Sequence, residues 1–106
     1  MVNYIIHVSY AQPAADTIAR LTDELRKYQV GSGIKAEDGR GYVLPAGTYV
    51  YHGKEAVNEV RDAIFRIAAE IQSEGVQVLV TEVATASWTG LEELPVLPEQ
   101  TEQQPA

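Results

Sequence analysis

The segment Thr48–Thr85, TYVYHGKEAVNEVRDAIFRIAAEIQSEGVQVLVTEVAT, decides the fold. Inside it Val57, Val60, Ile64, Ile67 and Ile71 follow a 3-4-3-4 spacing, which gathers them on one face of a helix of period 3.6. Gly75 stands where a chain leaving a helix needs a left-handed residue. The flanks change period. Thr48–His52 is β-branched and aromatic, and Val76–Thr85 holds Val76, Val78 and Val80 in one alternating phase, so each reads as a strand.

Upstream the same plan recurs. Val2–Tyr10 (VNYIIHVSY) reads as a strand with Tyr4, Ile6 and Val8 on one face and Asn3, Ile5, His7 and Ser9 on the other. Pro13 suits the first turn of a helix, where a missing N–H costs nothing. From there Ile18, Leu21, Leu25 and Tyr28 form an apolar stripe down to the break Gly31-Ser32-Gly33. Between the halves, Ile34–Glu37 reads as a short strand entering the turn Asp38-Gly39-Arg40-Gly41, and Tyr42–Leu44 extends a hairpin or forms a bulge. The order is βαββαβ. It predicts an α+β, ferredoxin-like domain, a four-stranded antiparallel sheet with two helices on one face.

A chain of 106 residues with 45% hydrophobic content buries one core and makes one domain, expected over residues 1–91. The net charge of −7 is concentrated at the end: Glu92, Glu93, Glu99 and Glu102 meet no basic residue, leaving eleven acidic and eight basic residues in 1–91. Residues 92–106 are rich in Pro, Glu and Gln and are expected to be a disordered acidic tail. No apolar run approaches the roughly 20 residues that span a bilayer, and no signal peptide is visible. A cytoplasmic protein without a membrane partner is therefore expected. The absence of cysteine excludes disulfides, thiolate catalysis and thiolate-bound metal.

In the ferredoxin-like plan the sheet face opposite the helices is open. With Val50 turned toward the helices beside Ile6 and Val8, Tyr49 and Tyr51 would emerge on that open face near Ile5, His7 and Leu79. Such an apolar, aromatic surface is expected to meet something, either a second copy, making a homodimer through the open face or the sheet edge, or the bases of single-stranded RNA. In the opposite strand phase both tyrosines are core.

Residues able to do chemistry are few. His7 and His52 are of the residue type that can serve as a general acid or base near neutral pH. Arg40, between two glycines, can present a guanidinium to a phosphate, and Arg20 is a second cation. Ser9 ends the first strand without an adjacent base, and Asp38-Gly39 is explained by turn chemistry alone. No histidine or carboxylate pattern has metal-ligand spacing, so neither a metal nor another cofactor is expected.

The string Tyr4-Ile5-Ile6-His7-Val8-Ser9-Tyr10, the amphipathic helix after it and Ala36-Glu37-Asp38-Gly39-Arg40-Gly41-Tyr42 resemble the small type V toxin–antitoxin endoribonuclease antitoxins. These in turn resemble the small CRISPR-associated ferredoxin-like nucleases. The resemblance covers about residues 3–88 and implies an endoribonuclease that silences a membrane toxin by cleaving its messenger. The chain departs from the CRISPR-associated pattern at Ser9, where those relatives carry an aspartate for metal-dependent cleavage. What remains is metal-independent cleavage, with His7 or His52 as base, Arg40 or Arg20 as cation, Ser9 at the same strand end, and Tyr49, Tyr51, His52 and Arg20 contacting the RNA. The second reading is of a different class: a non-catalytic acidic module, of the anti-CRISPR or DNA-mimic kind, that docks on a basic protein partner.

Overall fold

The computed structural model describes residues 1–95; the calls on the tail beyond Pro95 lie outside the described residues. The elements are β1 (Val2–Tyr10), α1 (Thr17–Arg26), β2 (Gly33–Lys35), β3 (Gly41–Val43), β4 (Thr48–Gly53), α2 (Val57–Ile71) and β5 (Val76–Val83). The fold is α+β with two helices and antiparallel sheets. One sheet has three strands in the order β4-β1-β5, and β2 and β3 form a separate two-stranded ribbon.

The expected four-stranded sheet is corrected in this respect. The second strand begins alongside β4, where Gly31 and Val50 exchange both backbone hydrogen bonds at 3.0 and 2.9 Å. Beyond that single pair it turns away. Gly31-Ser32-Gly33 offers little side chain for cross-strand packing against β4, while β3 lies one tight turn further on. Ile34 then pairs with Tyr42 and Lys35 with Gly41. The turn closes as its composition predicts, with Ala36 N–H donating to the Arg40 carbonyl at 2.8 Å and Arg40 N–H to Asp38 Oδ1 at 3.0 Å.

The strand phase of β1 is as read. Tyr4, Ile6, Val8 and Tyr10 are buried under the helices with Leu21, Leu25, Val60, Ile64 and Ala68. Burying side chains of this size stabilises the fold by roughly 1.5–3 kcal/mol each. The β1–β4 register places Ile6 opposite Tyr49 and Tyr4 opposite Tyr51, and directly opposed residues share a face. Tyr49 and Tyr51 therefore lie on the helix side and Val50 on the other, which corrects the expectation that the two tyrosines emerge on the uncovered face. The pairing with β1, not the composition of TYVYH, sets that phase.

Helix α1 starts later than Pro13. Residues 12–17 form a lead-in held by Gln72, whose Nε2 donates to the Gln12 carbonyl at 3.1 Å while its Oε1 accepts from Ala14 N–H at 3.2 Å and Thr17 Oγ1 at 2.7 Å. The helix also ends before the glycines. Gln29 takes a left-handed conformation with φ 67°, and Val30 N–H reaches back to the Leu25 carbonyl at 3.2 Å. Val30 thereby joins Leu25 in the core, as in a Schellman closure. Tyr28, assigned to the apolar stripe, falls in this turn and is 53% exposed.

After β5 the chain returns to the ribbon. Val43 N–H donates to the Glu92 carbonyl and Leu94 N–H to the Gly41 carbonyl, both at 2.8 Å, while Trp88 lies against Tyr42 with ring centroids 5.7 Å apart. Backbone hydrogen bonds thus cross the boundary expected between residues 91 and 92.

Candidate functional site

The two faces of the three-stranded sheet carry different chemistry. On the face away from the helices the register makes rows Asn3–His52–Val83, Ile5–Val50–Thr81 and His7–Thr48–Leu79, followed by Ser9 beside Gln77. The ribbon and the segment through Trp88 lean over Ile5, Val50 and Val83, while Asn3, His52 and Thr81 of the same rows stay exposed. The cleft beneath, about 640 Å³, has Ile5, Val50 and Val83 on its floor and Ile34, Lys35 and Trp88 on its walls. The row of His7 and Leu79 stays uncovered.

The proposed catalytic residues are scattered over this framework. His7 Nδ1 lies 3.2 Å from Thr48 Oγ1, Ser9 Oγ donates to Gln77 Oε1 at 3.1 Å, and His52 Nδ1 lies 2.7 Å from Asn3 Oδ1. These three share one face, each engaged with a cross-strand neighbour. Arg40 lies at the ribbon turn, 3.7 Å from Asp38. Arg20 is on α1, across the sheet from the histidines. Neither arginine makes a hydrogen bond or ion pair with His7, Ser9 or His52 among the described residues. Tyr49 is buried; Thr22 gives its own proton to the Ile18 carbonyl at 2.8 Å and stands 2.9 Å from the Tyr49 hydroxyl, leaving Tyr49 as the donor to Thr22. Burial raises the Tyr49 phenol above its ordinary range. Among the described residues no three His, Asp or Glu side chains are grouped to hold a metal ion, and no helix is long and apolar enough to cross a membrane.

A second concavity lies on the helix side, between the closing turn of α1 and the flank of α2. This groove, about 400 Å³, is floored by Val30, Val60, Ala63, Ile64 and Ile67; Tyr28 and Tyr51 form walls, and Glu55, Glu59 and Glu70 stand at the rim with the cation Arg66. Two rim carboxylates are held in place. Glu55 Oε2 accepts from the Tyr51 hydroxyl at 2.8 Å and Oε1 from Lys54 N–H at 3.1 Å. Its own backbone amide first, then Tyr51, hold the Glu55 carboxyl below the usual carboxylate range; reciprocally, accepting that proton raises the Tyr51 phenol, with burial adding to the effect. Glu59 accepts from Ala56 N–H at 2.9 Å, which anchors the start of α2, where alanine has no side-chain oxygen to serve as a cap.

Sequence reasoning missed this groove. The signal was present, because Glu59, Ala63 and Glu70 recur at helical spacing, one flank round from the core stripe. The other wall, the turn at Tyr28–Val30, requires α1 and α2 to be adjacent, and that adjacency is tertiary.

No family model matches the chain, and no curated protein and no solved structure matches it either.

Proposed function

We propose that this chain is a non-catalytic acidic binding module that docks a basic segment of a protein partner in the groove between α1 and α2. The observation that carries the reading is an apolar floor rimmed by three carboxylates and one guanidinium. A segment alternating apolar and cationic side chains matches both parts, since complementary potentials steer and orient such a contact.

The charge distribution supports the same choice over a nucleic acid. Arg26, Lys27, Arg40 and Arg61 are ion-paired with Asp23, Glu24, Asp38 and Asp62. Among the described residues this leaves nine carboxylates and only four cations outside ion pairs. Binding to phosphates draws on clustered free cations. The antitoxin-like reading also needs a base and a cation at one phosphate, and the candidate bases and arginines stand on separate parts of the molecule.

Fluorescence anisotropy distinguishes the readings. A labelled amphipathic Leu/Lys peptide is expected to bind, to weaken as salt rises and to weaken further with Glu70→Lys, while the Leu/Glu counterpart and a single-stranded RNA pool do not bind. Equal affinity of the parent and Glu70→Lys for the Leu/Lys peptide overturns the proposal. Discrete RNA cleavage lost in His7→Ala would establish the endoribonuclease reading in its place.

A further inference from the structure

We infer that the outer edge of β5 is a homodimerisation edge, where two copies pair antiparallel about a two-fold axis to make one continuous six-stranded sheet. Three independent features of the strand converge on a second copy as the occupant.

The first is that the sheet has one guarded edge and one bare edge. The outer side of β4 is engaged by Gly31, which exchanges both hydrogen bonds with Val50. The strand β5 gives one side to β1, from Val83 opposite Asn3 to Val76 opposite Tyr10, and no strand among the described residues takes the other. An edge of this kind is ordinarily protected by lysine, proline, a bulge or a covering segment. Val76–Val83, VQVLVTEV, has neither lysine nor proline, pairs with β1 without a bulge, and carries Glu82 as its single charge. Among the described residues the chain beyond β5 goes to the ribbon and does not return along this edge.

The second is apolar surface on both flanks of that edge. Leu79 is 64% exposed on the uncovered face and Phe65 is 48% exposed on α2. At about 100° per residue, Phe65 lies on the flank of α2 opposite Glu59, Ala63 and Glu70, which face the groove beside α1. That flank overhangs the free side of β5, against which α2 packs. A neighbouring copy covers Leu79 and Phe65 together; a ligand on one face of the sheet covers only one.

The third is self-complementarity. Residues opposed across a two-fold in one sheet share a face. Centred on Leu79, the pairing sets Leu79 against Leu79, Gln77 against Thr81 and Glu82 against Val76, so the two Glu82 carboxylates stand at opposite ends. The contact is isologous and closes at two copies, because each copy uses up its own β5 edge in it.

The dimer is independent of what the groove binds, and sedimentation velocity on the full chain tests it without any ligand. The parent is expected to sediment as a concentration-dependent dimer, and Leu79→Lys and Phe65→Lys as monomers with unchanged circular dichroism, since both side chains are exposed. Because the chain has no cysteine, Leu79→Cys supplies a single thiol that is expected to form a disulfide-linked dimer on mild oxidation, faster than Lys54→Cys at a distant surface. A parent that is monomeric at all concentrations, a dimer that survives both lysine substitutions, or an open series of larger assemblies overturns the inference. Cross-linking at position 79 no faster than at position 54 overturns the register.

Discussion

Tyr51, at the end of β4, donates its hydroxyl to the carboxylate of Glu55 at 2.8 Å, while the ring of Tyr4 stacks on Tyr51 with centroids 5.7 Å apart and the Tyr4 hydroxyl donates to the Glu55 backbone carbonyl. Two tyrosines from neighbouring strands thus hold one glutamate at the entrance to α2. The rim of the groove is built on the core and not on a loose surface side chain.

The Glu55 carboxyl is held below its ordinary range when folded, chiefly by its own backbone amide and then by Tyr51. A depressed folded pKa contributes stability that is present above the unfolded value and is lost as pH falls through the folded one. Urea midpoints measured from pH 7 into the acid range are therefore expected to fall less steeply for Glu55→Gln than for the parent. Parallel profiles would show that this carboxylate does not contribute.

Gln72 ties the β1–α1 lead-in to the end of α2 through the Gln12 carbonyl, Ala14 N–H and Thr17 Oγ1. Gln72→Ala removes all three contacts, and the buried Thr17 hydroxyl loses its partner. The expected cost is about 1–3 kcal/mol by chemical denaturation, with faster amide exchange confined to residues 12–17 and the first turn of α1.

Gln29 closes α1 at φ 67°, a conformation that residues other than glycine, asparagine and aspartate adopt at a cost of about 1–2 kcal/mol. Gln29→Gly is expected to raise stability by about 0.5–1 kcal/mol, the relief of strain outweighing the added freedom of the unfolded chain. A melting temperature that falls would contradict this account of the turn.

Gly75 has the opposite sensitivity. At φ 71° a Cβ there would stand 2.7 Å from Ala11 Cβ, and the Gly75 carbonyl accepts from Ala11 N–H at 3.0 Å. Gly75→Ala is expected to cost about 2 kcal/mol or more, from left-handed strain plus the clash. The loss should show as a lowered denaturant midpoint with an unchanged slope.

The sequence by itself determined the long elements β1, α1, α2 and β5 and the buried faces of β1 and α2, while β3 stands as a strand added to the expected βαββαβ order. In α2, Val60, Ile64 and Ala68 are buried because the helical period repeats often enough to leave one stripe for the core; in β1, nine alternating residues do the same for Tyr4, Ile6, Val8 and Tyr10. Short strands lack that redundancy. TYVYH is apolar in both phases, so only its pairing with β1 decided that Tyr49 and Tyr51 face the helices. Ile34 and Tyr42 likewise pair with either a sheet or a hairpin, and the tight Asp38-Gly39 turn, against the weak hold of glycine-rich Gly31-Ser32-Gly33 on β4, decided for the ribbon. His7 and Ser9 were legible as residues of one face from the alternation of β1, but the expected phase of β4 put His52 with Val50 on the helix side, and only the pairing with β1 brings it to theirs. Their separation from Arg40 and Arg20, the groove at Glu55 and Glu70, and the bare edge of β5 depend on which elements become neighbours. Neighbourhood is set by the packing of the whole chain and is not written in any one local period.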